Sequence, residues 1–208
     1  MSDGSAQEAR DLREALLDLC VERGYANLKL PVLLERSGMG GDAFHRHYAN
    51  LDALFAAVLR EVYAEFFDLA QEAVADQTGW RDRMRATAYA LLRFLRADER
   101  VARLAAVEVQ YAGKDAQRLF QETFNRLVEL LDEGSSEAGG PESPGLATAI
   151  GVGGVVFARI QEGVVNGELE ELGEEEVPQL MYAAVFPYLG AEAAAEELRI
   201  PPPPDLSG

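Results

Sequence analysis

Asp42, His45, Arg46 and His47 stand close together, just past the stretch Ser37-Gly38-Met39-Gly40. An arginine there can pair its guanidinium edge with guanine, and a carboxylate can accept from the amino group of cytosine. The two histidines invite a metal reading. On a helix, however, residues two apart face different directions, and no cysteine or carboxylate cluster accompanies them. They are therefore not read as metal ligands. Nucleophilic chemistry finds no better footing. The chain has no Gly-x-Ser-x-Gly, no usable Cys–His partner and no glycine-rich phosphate loop after a strand. The expectation is a protein that is not an enzyme and has no cofactor.

The elements around these residues are helical. Apolar residues recur at helical spacing almost throughout, and no segment shows two-residue alternation with turn chemistry. The spacing predicts a first helix over 7–23, with Leu12, Ala15, Leu16, Leu19 and Cys20 on one stripe and Gly24 as its stop signal. Pro31 suits the first turn of a second helix over 30–37. After the glycine turn a third helix covers 41–48. Asn50 caps a long fourth helix over 51–76, with Asp52 near its positive end. Further helices are expected over 80–97, 99–111, 115–132, 146–166 and 174–189, with a last turn or two over 191–198. The segment 134–145 reads as a loop by composition, and Pro201 to Pro204 as a stiff tail.

The fold class is thus all-α, with a three-helix helix-turn-helix head at the N-terminus and a larger helical body. Residues 1–50 form the head, 51–200 the helical body, and 201–208 a flexible Pro-rich tail. Leu33, Met39, Phe44, Tyr48, Leu54 and Phe55 are spaced to meet Leu16, Leu19 and Tyr25 in a small core.

Bulk properties agree with a globular protein: 208 residues, 48% of them hydrophobic. No apolar run is long enough for a bilayer, and the start MSDGSAQEARD is polar, so a cytoplasmic protein without a membrane anchor is expected. Cys20 is the one cysteine, which excludes an internal disulfide. The net charge of −17 argues against broad attraction to nucleic acid or anionic lipid. Its distribution qualifies that statement. Residues 1–62 carry a net −3, residues 63–131 a net −1, and residues 132–208 a net −13. A nearly neutral head can approach DNA, although no basic face advertises itself. The acidic run from Glu168 to Glu176 reads as a solvated loop.

The segments ERGY (Glu22–Tyr25), LLERSGM (Leu33–Met39), FHRHY (Phe44–Tyr48) and NLDALFAAVL (Asn50–Leu59) resemble the tetracycline-repressor (TetR) family of bacterial regulators. The resemblance is specific over residues 12–60; beyond it, VPQLMYAAVFPYLG (Val177–Gly190) is also similar. It implies a homodimer whose heads read a palindromic operator in double-stranded DNA and whose bodies bind a small-molecule effector. In a helix-turn-helix the third helix lies in the major groove. The DNA-binding candidates are Lys29, Gly41, Asp42, Ala43, His45, Arg46 and His47.

The chain departs from the family pattern at several of these places. Members usually open the third helix with Ser or Thr, continue Lys-Gly-Thr, and carry a Tyr before the basic-His-aromatic run. Here Gly40, Gly41, Asp42, Ala43 and His45 stand instead. Leu51 replaces a phosphate-gripping Lys, and Leu28-Lys29 a pair of Thr. Hydroxyl and ammonium donors supply much of the affinity for phosphates, so these changes weaken the expected grip.

In the body, effector candidates are Trp80, Tyr89, Glu108, Tyr111, Phe120, Phe124, Phe157 and Arg159. The aromatic ones also suit a plain core. Glu108 and Arg159 interrupt apolar helices. Exposure at an edge is the first expectation for them, and a partner or ligand the alternative, because a lone buried charge is costly. Glycines at 151, 153 and 154 would suit close approach of another backbone, since each costs about 1 kcal/mol in a helix interior. Gly151, Gly154, Ala158, Met181, Tyr182, Val185 and Phe186 accordingly form the expected dimer interface, with intrachain packing as the competing reading.

The sequence points to a ligand-responsive transcriptional regulator, a repressor by preference. The alternative is a regulator-like small-molecule-binding or protein-interaction protein that has lost operator binding.

Overall fold

The computed structural model describes residues 3–138, 144–169 and 176–203, and all regular structure among them is helical. In chain order the elements are α1 (Asp3–Arg23), a 3-10 turn (Tyr25–Asn27), α2 (Leu30–Ser37), α3 (Gly41–His47) and α4 (Leu51–Val74). Next come α5 (Trp80–Ala97), α6 (Glu99–Ala106), a second 3-10 turn (Glu108–Tyr111) and α7 (Lys114–Asp132). The last three are α8 (Gly134–Ala138), α9 (Leu146–Asn166) and α10 (Glu176–Glu197). The chain divides into two compact units, Met1–Ala64 with Asp98–Gln121, and Glu65–Ala97 with Glu122–Gly208. Residues 98–121, read as body from the sequence, therefore belong to the same unit as the head helices.

In the first unit the apolar stripe of α1 is buried against α2 and α6. Leu16, Leu19, Leu33, Phe44, Leu54 and Phe55 are fully buried, as their spacing requires. Met39 and Tyr48, expected in the same core, are only half-buried at its edge. Tyr25 packs edge-on against Phe55, with ring centroids 4.6 Å apart.

In the second unit Val128, Leu131, Ala149 and Ala184 form a buried cluster with Met84, Phe124 and Val152 packed against it, joining α5, α7, α9 and α10. Gly153 explains the closeness of α9 to α7: a Cβ there would lie 3.3 Å from Val128 and 3.4 Å from Phe124. Polar clamps complete the unit. Glu197, 1% exposed, is held by Arg81 at 2.5 Å and by Arg85 at 2.7 Å. Arg159 pairs with Glu176 across the ends of α9 and α10.

Several elements differ from the sequence reading. The expected helix over 99–111 breaks at Val107 into α6 and a 3-10 turn. The expected loop after Gly134 begins as a short helix, α8. Residues 139–143, most of the acidic run (170–175) and the tail from Pro204 onward lie outside the described residues. Gly190, at φ 80°, interrupts α10 near the place where the last helix was expected to end. Pro187 lies inside the helix one turn earlier. The expectation that no stretch is apolar enough to span a bilayer fails for α9. Its 21 residues suffice for a span by length and composition alone, and little of that stretch is buried within the chain.

Trp80 sets a tight constraint on the second unit. Its indole N–H donates to the Leu130 carbonyl at 2.8 Å, and its ring lies so near Gly134 that a Cβ there would come within 2.5 Å of it. A rigid, fully buried ring cannot yield cheaply. Gly134→Ala is expected to destabilise the protein by about 1–3 kcal/mol through overpacking. The check is the urea midpoint; no change would mean that the ring is not held in place.

Candidate nucleic-acid interface

The turn between α2 and α3 is built by glycine. Gly38 ends α2 in the left-handed region at φ 68°, where its N–H meets the carbonyls of Glu35 and Leu34, and the Met39 N–H donates to Leu34 at 3.1 Å. Gly40 opens α3 with extended backbone and no side-chain cap. The first-turn Asp42 complements the positive end of the helix instead. Phe44 is the one buried residue of α3; its ring meets Tyr48 at a centroid distance of 5.8 Å. With Phe44 pointing inward, Asp42, His45 and Arg46 are exposed and Gly41 and Ala43 half-buried. Asn50 then starts α4 by accepting from the Ala53 N–H at 2.9 Å.

Several of the head's polar groups are engaged within the chain. His47, taken from the sequence as groove-facing, is half-buried with its Nε2 2.8 Å from Glu8 on α1. Arg36 forks onto Glu22 with bonds of 2.8 and 2.7 Å, and Arg13 lies 3.5 Å from Glu61. Lys29 stays exposed at the N-cap of α2.

Below the head helices, a polar latch fixes the first 3-10 turn. The Tyr25 N–H donates to Glu108 at 2.7 Å, and the Arg103 Nε donates to the other oxygen of the same carboxylate at 3.0 Å. The Tyr25 hydroxyl donates to Asp52 at 2.6 Å, and burial pushes its phenol well above the ordinary range. Glu108, 2% exposed, is thus buried and paired, correcting the expectation of an exposed side chain. Beside it, burial first and the Glu108 charge second push the Cys20 thiol up to about 12, so it stays protonated and unreactive. On the other side of α1, Arg100 joins Asp98 to Glu14 and Asp18. The sequence signalled Glu108 only as a charge in an apolar run and Asp52 only as an acid at a helix start; Arg100 gave no signal.

The effector candidates do not come together within one unit. Glu108, Tyr111 and Phe120 belong to the first unit, and Trp80, Tyr89, Phe124, Phe157 and Arg159 to the second. Trp80 and Tyr89 are buried, while Phe120, Phe124 and Phe157 are half-buried. Tyr111 is 64% exposed on its 3-10 turn, and the Arg159 guanidinium is taken by Glu176 and Glu162. Among the dimer candidates, Met181 and Val185 are buried within the chain and cannot meet a second copy. Gly151, Ala158 and Phe186 are exposed, and Gly154 and Tyr182 half-buried.

No protein-family model and no curated protein sequence matches the chain. Solved structures do match its fold. The fatty acid degradation regulator FadR from Bacillus halodurans superposes with a TM-score of 0.71 at 15% identity, over 86% of this chain and 94% of that one. FadR from Bacillus subtilis, solved in complex with stearoyl-CoA, gives 0.66 at 14% identity, over 87% and 98%. A TetR-family regulator from Marinobacter aquaeolei VT8 gives 0.69 at 13%, over 89% and 97%. The chain has a TetR-like, all-α fold.

The latch can be tested at two points. Glu108→Ala strands the buried Tyr25 N–H and is expected to cost about 1–3 kcal/mol, whereas Glu108→Gln keeps an acceptor and recovers part of it. Equal urea midpoints for the two variants would remove the hydrogen bond from the account. The second point concerns acid. The Arg100 hydrogen bonds hold the Asp98 carboxyl below its usual range. A depressed folded value means that the stabilisation is complete above the unfolded value of about 4 and is lost as pH falls through the folded one. Asp98→Asn is expected to flatten the acid limb of the stability profile below pH about 4, read by urea midpoints across pH.

Proposed function

We propose that the chain is a ligand-responsive transcriptional regulator, a repressor that binds a palindromic operator as a cytoplasmic homodimer. The observation that carries this reading is α3: a short helix after a glycine turn, pinned by Phe44, with Asp42, His45 and Arg46 exposed along one edge. That is the presentation a major groove requires. The head comprises residues 1–50 and the effector and dimer domain 51–200. An effector is held in the second unit, where Phe124 and Phe157 are the half-buried aromatic candidates. α4 begins in the first unit and ends in the second, so it is the covalent route from effector to head. A change in head spacing then costs affinity, because both heads must reach half-sites roughly 34 Å or a multiple apart.

The dimer face is the outer side of α9 with part of α10. Leu146, Ile150, Val155 and Val165 are exposed there, Val155 at 60%, and Gly151 and Gly154 have open space where a Cβ would stand. On α10, Tyr182 and Phe186 stack with centroids 5.8 Å apart, and Phe186 is 47% exposed. Large apolar side chains exposed along one element favour a partner.

A second reading has its own support: Arg36 and Arg13 are paired inside the head, and α3 presents the carboxylate of Asp42, so fewer cations remain for phosphates. In that reading the protein binds a small molecule or another protein and no operator.

A mobility shift on genomic fragments at several salt concentrations separates the two. A reader shows sequence preference and affinity that falls with salt by a log–log slope of about −0.9 per phosphate contact. Absence of both supports the second reading. For the assembly, Val155→Asp is expected to convert a dimer to a monomer in light scattering. A wild-type monomer would remove the dimer, and co-sedimentation of the wild type with lipid vesicles would assign the face to a membrane.

A further inference from the structure

Gly40 and Gly41 have no internal reason to be glycine. Gly40 is extended at φ −79°, a backbone any residue adopts, and a Cβ on it would meet nothing within 4 Å. Gly41 is helical, and a Cβ on it would meet only Leu34 at an ordinary 3.9 Å. A glycine in a helix is unfavourable compared with alanine. Neither strain nor packing among the described residues accounts for the pair; close approach of something outside the chain would. The same small residues, with Ala43, flank Asp42 along the chain.

Asp42 and Arg46 lie four residues apart, so they share one face of α3 about 6 Å apart along its axis. Both are exposed, and among the described residues neither is engaged in an ion pair. The donors and acceptors of the major groove then decide what each accepts. Guanine presents acceptors at O6 and N7, thymine an acceptor at O4, and adenine an acceptor at N7 beside its amino group. A carboxylate is repelled by each of these acceptors. Cytosine alone presents a donor without an adjacent acceptor of its own. Arg46 has the opposite preference, because its fork matches O6 and N7 of guanine.

Resting on the proposed DNA-reading function, we infer that Asp42 and Arg46 act together as specificity residues, selecting a cytosine and a guanine within about three consecutive base pairs of each half-site. The helical rise between them spans roughly two base-pair steps of about 3.4 Å. Asp42 thereby turns a liability toward phosphates into discrimination at the base edge. It gives up non-specific affinity for rejection of every base that shows it an acceptor.

The test is selection of bound duplexes from a randomised pool by the purified full chain, repeated with Asp42→Asn and Arg46→Ala. Wild type is expected to yield half-sites with the cytosine and guanine. Asp42→Asn exchanges an acceptor for an acceptor–donor edge that fits adenine, so the selected cytosine should change to adenine. Arg46→Ala should lose about tenfold or more of the preference for guanine, with the cytosine retained. Circular dichroism and thermal melting confirm that the variants fold. A clear wild-type motif that Asp42→Asn leaves unchanged overturns this inference while the regulator reading stands. A wild type that enriches no sequence at any salt concentration overturns both.

Discussion

One buried ring holds the outward edge of α3 in place. α3 has seven residues, too few to persist as a helix on its own in water, and Phe44 is its one buried side chain. The direction of that ring fixes the direction of every other residue on the helix. With Phe44 inward, positions 42, 45 and 46 must face out, and position 47 turns back toward α1, where Glu8 receives it. Gly38 brings the chain into this pose, and the cap from Asn50 carries it out into α4. The outward residues are free to vary because they contribute nothing to the anchor.

Below that anchor the structure uses charge for placement. Glu108 and Glu197 are both buried, and each ends on arginine. A buried ion pair is weak as a source of stability, since desolvation consumes most of the attraction, but its geometric demands are strict. Glu108 meets them by joining Arg103 to the backbone N–H of Tyr25, so the 3-10 turn after α1 is fixed on the turn after α6. Gly24, at φ 73°, takes the left-handed turn that L side chains rarely adopt and so sets the Tyr25 N–H toward the carboxylate. Glu197 does the same work for the end of α10, which a glycine break separates from the rest of that helix.

The sequence disclosed the features that local chemistry decides. Helical period, the glycine turn, the Asn50 cap and the inward Phe44 all depend on residues within a turn or two of one another, and the structure contains them. The features that stayed hidden depend on distant partners. Glu108 looks solvent-facing until Tyr25, 83 positions earlier, supplies its N–H. His47 looks outward until Glu8, 39 positions away, is placed beside it. α10 is apolar on most sides, so its pattern does not say which residues face the chain's own core; Met181 and Val185 do, and Phe186 does not. The polar composition of Gly134–Ala138 reads as loop, yet the segment is helical, with Gly134 pressed against Trp80. Residue type alone does not separate an aromatic side chain that lines a cavity from one that fills a core, which is why Trp80 and Tyr89 read alike with Phe124 and Phe157.

The charge arrangement of the head bears on how any DNA contact would be made. Arg36, Arg13 and His47 are engaged by Glu22, Glu61 and Glu8, and the positions where TetR-family members usually carry hydroxyl and lysine side chains hold glycine, alanine and leucine, with Lys29 the one cation among them. Phosphate contacts set the register of a groove-binding helix and supply sequence-independent affinity; base contacts supply discrimination. A head that keeps an exposed acid and an exposed arginine on α3, while Arg13 and Arg36 are held by carboxylates, has less charge for the first task than for the second. Two such heads would gain from being joined, because once one was docked the other would meet its half-site at high effective concentration. The apolar outer face of α9 is therefore the natural complement of a weakly charged α3. If that face holds a second copy, the dimer supplies the affinity that the head alone lacks.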